Sequence, residues 1–550
     1  MKKIALFLTM LVLFVSYYST CTAQVDLERA REARYDINYA NYLIEVGKYM
    51  EALENYETAL ELTSIPKIKI DALLAKATLL SSFLDAPEEA LKVYREVYKN
   101  YPKAAEIARY REGLLLFQLN RPDQAKKSLK DYLTEYPLGK FRFQAEALLE
   151  QIQKIPPPPP PEVTPPEVKP PIVTPPEVKP PIVTPPEVKP PEVKPPIVTP
   201  PEVKPPTAKP PEVRVRLCKT TKRVTIKGSP VCATGLGCRE GFTVKGNDGK
   251  IFIDRSPVNE RTIVFESKTP MEITCGKKKK KVRGKLKGKI KGGKLYIINL
   301  VDMEDYLKSV VPSESYSSWP LETLKAQAVA ARTYAYYQML HRKNWDYDLV
   351  DDQGDQAYKG IKRERTKTTQ AVNETRGRVL TYKGRPILAM YSANSGGYTA
   401  DAKAIFSLSK PYLIAQNDPE SLKGKMARWT RKFSVSEVEA ALKRRGIKAN
   451  GLKRIEAAEK GPSGRIVKVR IVSRSGSRVL RTRTTLRRAL KLPEILLDIK
   501  RTDGQFIFNG RGWGHGVGYS QWGSAILGKK TSYDKILEFY YPNASLVKKW

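Results

Sequence analysis

The apolar pattern of this chain changes period several times, and each change marks a boundary. Lys2 and Lys3 precede an apolar run from Ile4 to Val15, followed by small polar residues. That layout predicts a secretory signal peptide over residues 1–23, too short for a confident membrane span, with Cys21-Thr22-Ala23 as a small-x-small cleavage site. A lipoprotein would instead use Cys21 as the acylated residue, a pattern that Tyr18 and Thr20 fit poorly; membrane contact is expected only if Cys21 is lipidated. Residues 25–155 follow a helical period. Residues 156–212 have none, because PPEVK and PPIVT units alternate almost without error. From Val213 onward the pattern turns to strand-like alternation, as in Val213–Leu217, Arg223–Lys227 and Lys294–Leu300. Later strands are predicted at Arg378–Tyr382, Pro386–Tyr391, Arg465–Ser473 and Gln505–Asn509, with helices between them.

Within the helical part, Gly47, Tyr49, Ala52, Tyr56 and Ala59 are spaced to put small residues where two helices cross. Ala90, Tyr94 and Pro102 recur as Ala125, Leu129 and Pro137, each 35 residues on. This period, with Ala at the crossing and Pro ending the second helix, resembles the tetratricopeptide repeat, in three degenerate copies. The resemblance implies a concave surface for a protein partner. Proline fixes φ and removes a donor, so residues 156–212 cannot build a core. They are expected to be a disordered, polyproline-rich spacer, reaching over ~100 Å, that lets the downstream domain work while the helices dock elsewhere. The predicted fold class is multidomain: an all-α tetratricopeptide-like solenoid, the Pro-rich linker, then an α+β domain over 213–550 with a β-rich insert.

The chain of 550 residues carries a net charge of +39, which favours anionic partners. Export argues against nucleic acid and for an anionic wall polymer. Export also changes how Cys218, Cys232, Cys238 and Cys275 read. They lack the paired spacing of a zinc site; two disulfides are expected, in any of three connectivities, with free buried thiols as the alternative. The run Lys277–Lys281 is expected to be a solvated loop rather than an anion site.

The chemistry concentrates in two stretches. Within Val301–Leu340 Glu314 is read as the lone acid of a short polar loop beside Tyr316 and Trp319, followed by a helix after Pro320. That helix has an apolar stripe of Leu321, Leu324, Ala328 and Ala331, and carries Lys325, Gln327 and Arg332. Lys325 and Arg332, seven apart, share a face and are expected to line a cleft. Gly510–Gly523 reads GRGWGHGVGYSQWG, with His515, Gln521, and Trp513 and Trp522 as candidate sugar-stacking rings. Between them Ser395-Gly396-Gly397 suggests exposed backbone that a ligand approaches closely. An apolar wall would raise the Glu314 pKa and keep it protonated. A glycosidic bond needs such a proton donor on its leaving oxygen.

Three stretches in order resemble the SpoIID/LytB domain: Asp305–Glu314 with Leu324–Tyr334, Tyr391–Gly397, and Gly512–Gly523. The family contains lytic transglycosylases acting on peptide-stripped glycan strands, and amidase enhancers. The resemblance implies Glu314 as the catalytic acid of an exported peptidoglycan-processing enzyme in the periplasm or cell wall. It implies Lys325, Gln327, Arg332, Ser395, Gly396, Gly397, His515 and Gln521 as substrate-binding, with His515 as hydrogen-bonding group or second proton carrier. The alternative is a non-catalytic wall binder that enhances an amidase; a scaffold whose repeats recruit an amidase or envelope protein is a third reading. Some family members bind zinc after the first motif. Here Asp346–Gly360 has no Cys or His, so no metal and no cofactor are predicted, and Asp348, Asp351 and Asp352 read as turn chemistry. A hydrolase would need a second carboxylate; Asp302, Glu304, Asp305 and Asp401 are the nearest in sequence.

Overall fold

The computed structural model describes residues 29–44, 48–153, 209–247 and 249–550. The predicted signal peptide, Cys21 and most of the Pro-rich segment lie outside them. Among the described residues no helix is long and apolar enough to cross a membrane.

The N-terminal part is a run of antiparallel helices: α1 (residues 29–44), α2 (Tyr49–Leu62), α3 (Pro66–Phe83), α4 (Pro87–Asn100), α5 (Pro102–Gln118), α6 (Pro122–Glu135) and α7 (Arg142–Gln153). Proline opens four consecutive helices, α3 to α6, where its missing N–H costs nothing. Pro102 therefore starts α5 rather than ending a helix as the repeat pattern suggested. The crossing residues Ala52, Ala90 and Ala125 are fully buried. Gly113 allows the closest approach, since a Cβ there would sit 2.7 Å from Leu129 Cδ2.

The first of these helices lie against the C-terminal domain. Ala30, Ala33, Ala59, Leu62 and Ile68 share a core with Val438, Leu442, Ile471 and Phe508. Around it, Glu57 pairs with Arg481 at 2.8 Å, Glu54 with Arg483, and Thr58 Oγ1 meets Thr484 Oγ1 at 2.7 Å. Tyr49 and Phe83 hold Trp345 between their rings at 5.6 and 5.4 Å. The acids of α2 thus neutralise arginines that would otherwise be buried unpaired.

The C-terminal part begins with an 11-stranded sheet. Glu212–Thr220 lies between Lys294–Asp302, antiparallel, and Leu349–Val350, parallel. Four cysteines close two bonds, Cys218–Cys275 and Cys232–Cys238, the second joining cross-strand partners. The lysine run is strand Lys278–Val282, not a loop: it pairs with Met271–Cys275, Lys280 turns in to Asp351, and Lys279 meets Glu272 at 2.9 Å. Of the three predicted turn acids only Asp352 caps a turn, accepting from Gly354 N–H at 2.8 Å. Asp348 instead binds Arg214.

Strand Lys294–Asp302 leads directly into α8 (Met303–Glu314), capped by the Asp302 carboxylate. Next comes α9 (Leu321–His341), buried on nearly every side rather than along one stripe. Two further three-stranded sheets follow: Arg428–Ser434 with Gln505–Arg511 and Leu497–Thr502, and Arg454–Lys460 with Ile466–Ser473 and Gly476–Arg481.

Candidate functional site

Glu314 is the last residue of α8, not a loop residue, and Pro312 lies two residues before it in the same helix. Its carboxylate accepts from Ala357 N–H at 2.7 Å. Its backbone carbonyl accepts from Gln521 Nε2 at 3.1 Å. The side chain stays partly open to solvent, yet burial of most of its surroundings raises its pKa above the ordinary glutamate value. The Ala357 N–H, the Gln521 amide and the exposed Lys359 charge pull in the opposite direction but do not overcome desolvation. Neither Lys325 nor Arg332 figures among the charges acting on it.

A polar floor lies under Glu314. Tyr306 of α8 donates to Gln356 Oε1 at 3.0 Å, and Gln356 Nε2 donates to Tyr391 OH at 3.1 Å and to Ala331 O at 3.2 Å. Both tyrosines sit close enough to Glu314 for its charge to raise their pKa values. Asp355, just upstream, is held by Arg342 at 2.8 Å with both side chains fully buried, which fixes the Asp355–Ala357 turn that reaches Glu314. Beside the acid, Tyr316, Trp319 and Trp522 form one aromatic cluster with ring centroids 5.0–5.7 Å apart. Tyr316 remains 55% exposed, an open apolar ring at the mouth of the site.

The structure brings together Glu314, Gln327 and Gln521. Gln327 Oε1 accepts from Ser315 Oγ and from Gln521 Nε2, each at 3.2 Å. Gln521 reaches them because Ser520 caps the short helix Gln521–Leu527.

It does not bring Lys325 and Arg332 to the site. The two share a face of α9, but at 100° per residue that face is turned well away from Gln327. Lys325 forms ion pairs with Glu322 and Glu374 at 2.8 and 2.7 Å. Arg332 is wholly buried and meets Glu304 through two contacts, 2.7 and 3.1 Å. Glu304 also accepts from Trp550 Nε1 at 2.8 Å and Gly377 N–H at 3.2 Å, so this is a structural anchor for the C-terminus.

Ser395, Gly396 and Gly397 are buried too. They face the Gly510–Gly518 loop instead. Asn394 bridges Trp513, Ala400 bridges Val517, and Tyr391-Ser392 pairs in parallel with Tyr519-Ser520. At Gly396, φ is +74° and a Cβ would stand 2.7 Å from Arg511 C and Gly512 N. The glycines permit two chain segments to interlock. Ser395 Oγ donates to Asp418 at 2.5 Å.

His515 lies on this interlocked pair. Its Nδ1 accepts from Val517 N–H at 3.0 Å, and Phe406 meets its ring edge-on. Burial and the charges of Arg483, Arg487 and Arg465 push its pKa down to about 3. So lowered, the ring is neutral near pH 7, which favours a hydrogen-bonding role over a proton-carrying one.

The acids considered as a second carboxylate are all engaged away from Glu314. Asp302 and Asp401 cap helices, Glu304 holds Arg332, and Asp305 pairs with Lys308 at 2.7 Å. Among the described residues no cluster of His, Cys, Asp and Glu is arranged to hold a metal. The sequence reading missed Tyr306, Gln356, Ala357 and Tyr391. Tyr306 lies two helical turns before Glu314, a spacing that puts both on one face of α8 and would have flagged it.

Comparison with known proteins shows what the chain is similar to. The family described as "Stage II sporulation protein" matches residues 291–382, a domain of unknown function matches 406–518, and a tetratricopeptide repeat matches 108–138. An uncharacterized protein of Brachyspira hyodysenteriae is 34% identical over 46% of this chain and 68% of its own length. The amidase enhancer of Bacillus subtilis is 30% identical over 44% of this chain and 40% of its own length. Stage II sporulation protein D of Bacillus subtilis is 30% identical over 45% of this chain and 74% of its own length. Glu314 lies inside the matched span, and at this identity and coverage the chain belongs to the SpoIID family, with tetratricopeptide-like repeats added at its N-terminus.

Proposed function

We propose that the protein is an exported lytic transglycosylase that cleaves peptidoglycan glycan strands, peptide-stripped ones above all, with Glu314 as its single acid and base. One observation carries this reading. Glu314 is a partly exposed residue whose carboxyl pKa is raised by burial, beside exposed Tyr316, with the other nearby acids engaged in pairs of their own. Such a group protonates the glycosidic oxygen as the C1–O bond breaks. The substrate's own C6 hydroxyl then attacks C1 and returns its proton to the Glu314 carboxylate. The product is a 1,6-anhydro sugar, and no water is consumed. Gln521, backed by Gln327, positions the acid and contacts the sugar; His515 binds as a neutral donor or acceptor. The two disulfides support an oxidising compartment, the periplasm or cell wall.

The relative named amidase enhancer supports a second reading, a glycan binder that stimulates an amidase through the same cleft. One experiment separates the two. The full chain is incubated with amidase-treated strands and the products are read by mass spectrometry. Anhydro ends from the wild type and none from Glu314→Gln support the enzyme. Anhydro ends from Glu314→Gln sink Glu314 as the acid, and no ends from wild type with retained glycan capture sinks catalysis altogether.

A further inference from the structure

A second cleft, of about 630 Å3, opens on the sheet of Arg428–Ser434, Gln505–Arg511 and Leu497–Thr502, within the domain of unknown function. Arg428, Lys460 and Arg511 line it, together with Thr430, Asn509 and one acid, Asp498. Arg428 and Arg511 stand directly opposite each other in the antiparallel register. Like charges at that position cost stability. Neither has an ion pair among the described residues, although Asp498 faces Asn509 on the neighbouring strand. An arrangement that weakens its own sheet, in a concave setting, is the signature of a site kept for a ligand.

The cleft is tied to the glycine loop, whose Gly512 N–H donates to Ala427 O at 2.9 Å. Trp429 is buried beneath it and donates from Nε1 to Gly512 O at 3.0 Å. Gly510 leaves the room, since a Cβ there would meet the Trp429 ring at 2.1 Å. From Arg511 the chain passes through Trp513, 38% exposed, and on to Gln521 at Glu314.

We propose that this cleft binds carboxylate groups of the glycan strand whose cleavage point sits at Glu314. The inference rests on the glycan reading above. Paired guanidinium groups match planar oxyanions. Strands freed of their peptides expose one lactyl carboxylate on every second sugar, whereas peptide-bearing strands carry amides there. The cleft thereby makes the accessory domain the reader of peptide removal.

The test uses the full chain and its Arg428→Gln/Arg511→Gln variant. Affinity is measured for amidase-treated strands, for the same strands with carboxylates chemically amidated, and for a glycerol-phosphate polymer. The wild type should prefer free carboxylates by about tenfold or more, and the variant should lose that preference while its affinity for amidated strands holds. Its melting temperature should stay equal or rise, because the like-charge pair is gone. A variant that keeps the preference, or loses affinity for both strand types alike, overturns the proposal. So does a wild type that binds the phosphate polymer through these arginines and ignores the carboxylates. Retained carboxylate preference without anhydro products would sink the enzyme reading and leave this site standing.

Discussion

Replacing Arg332 by methionine separates anchoring from substrate binding. In the folded protein its guanidinium makes both Glu304 contacts and also donates to Val372 O at 3.1 Å and Arg378 O at 3.3 Å. Arg332→Met leaves a carboxylate with only Trp550 Nε1 and Gly377 N–H, at a position 2% exposed. Removing one partner of a buried pair costs about 3–5 kcal/mol. For a unit of roughly 340 residues, unfolding entropy of about 2.1 cal/mol/K per residue gives about 0.7 kcal/mol/K. The expected drop in melting temperature is therefore about 4–7 °C. A second change, Glu304→Leu, removes the orphaned charge and should recover much of the loss, a coupling that a double-mutant cycle reads directly. Calorimetry measures both, and glycan capture well below the transition should be unchanged. A variant that melts like wild type but loses glycan affinity would refute the assignment and return Arg332 to the cleft.

Glu314→Gln should stabilise the protein at neutral pH. The folded pKa is raised, so the native state binds the proton more tightly than the unfolded chain; that advantage is complete below the unfolded value of 4.5 and is lost as pH rises through the folded one. The gain in melting temperature over wild type should appear near pH 7 and vanish below about pH 4. Gly396→Ala should cost at least about 2 kcal/mol by denaturant unfolding, since it adds left-handed strain to a backbone clash. Replacing Cys218 and Cys275 by serine opens a loop of 57 residues, worth about 4 kcal/mol of chain entropy, against about 2 kcal/mol for the 6-residue loop of Cys232–Cys238. Cutting an engineered protease site within residues 154–208 should leave the two fragments co-eluting on gel filtration; separation at low salt would refute the docking of α2 onto Arg481 and Arg483.

The sequence by itself determined the parts and their order. Helical period, the PPEVK repeat and strand alternation are local signals, and they delimit the solenoid, the linker and the mixed domain. The lone Glu314 and the spacing of the glycine motifs were legible for the same reason. Cysteine count implied two bonds, but which cysteines meet depends on strand register, and Cys232 opposite Cys238 is a property of the sheet. Charge was where local reading failed. Lys325 and Arg332 look alike along the helix, yet one ends in surface pairs and the other in a buried lock with Glu304, 28 residues away in sequence. The glycines of Ser395-Gly396-Gly397 signal close approach, but only the fold reveals that the Arg511-Gly512 backbone is what approaches Gly396. Periodicity reports which face of an element is apolar; which partner covers that face, and which acid meets which base, follows from desolvation and packing across the whole chain, and only the tertiary structure decides it.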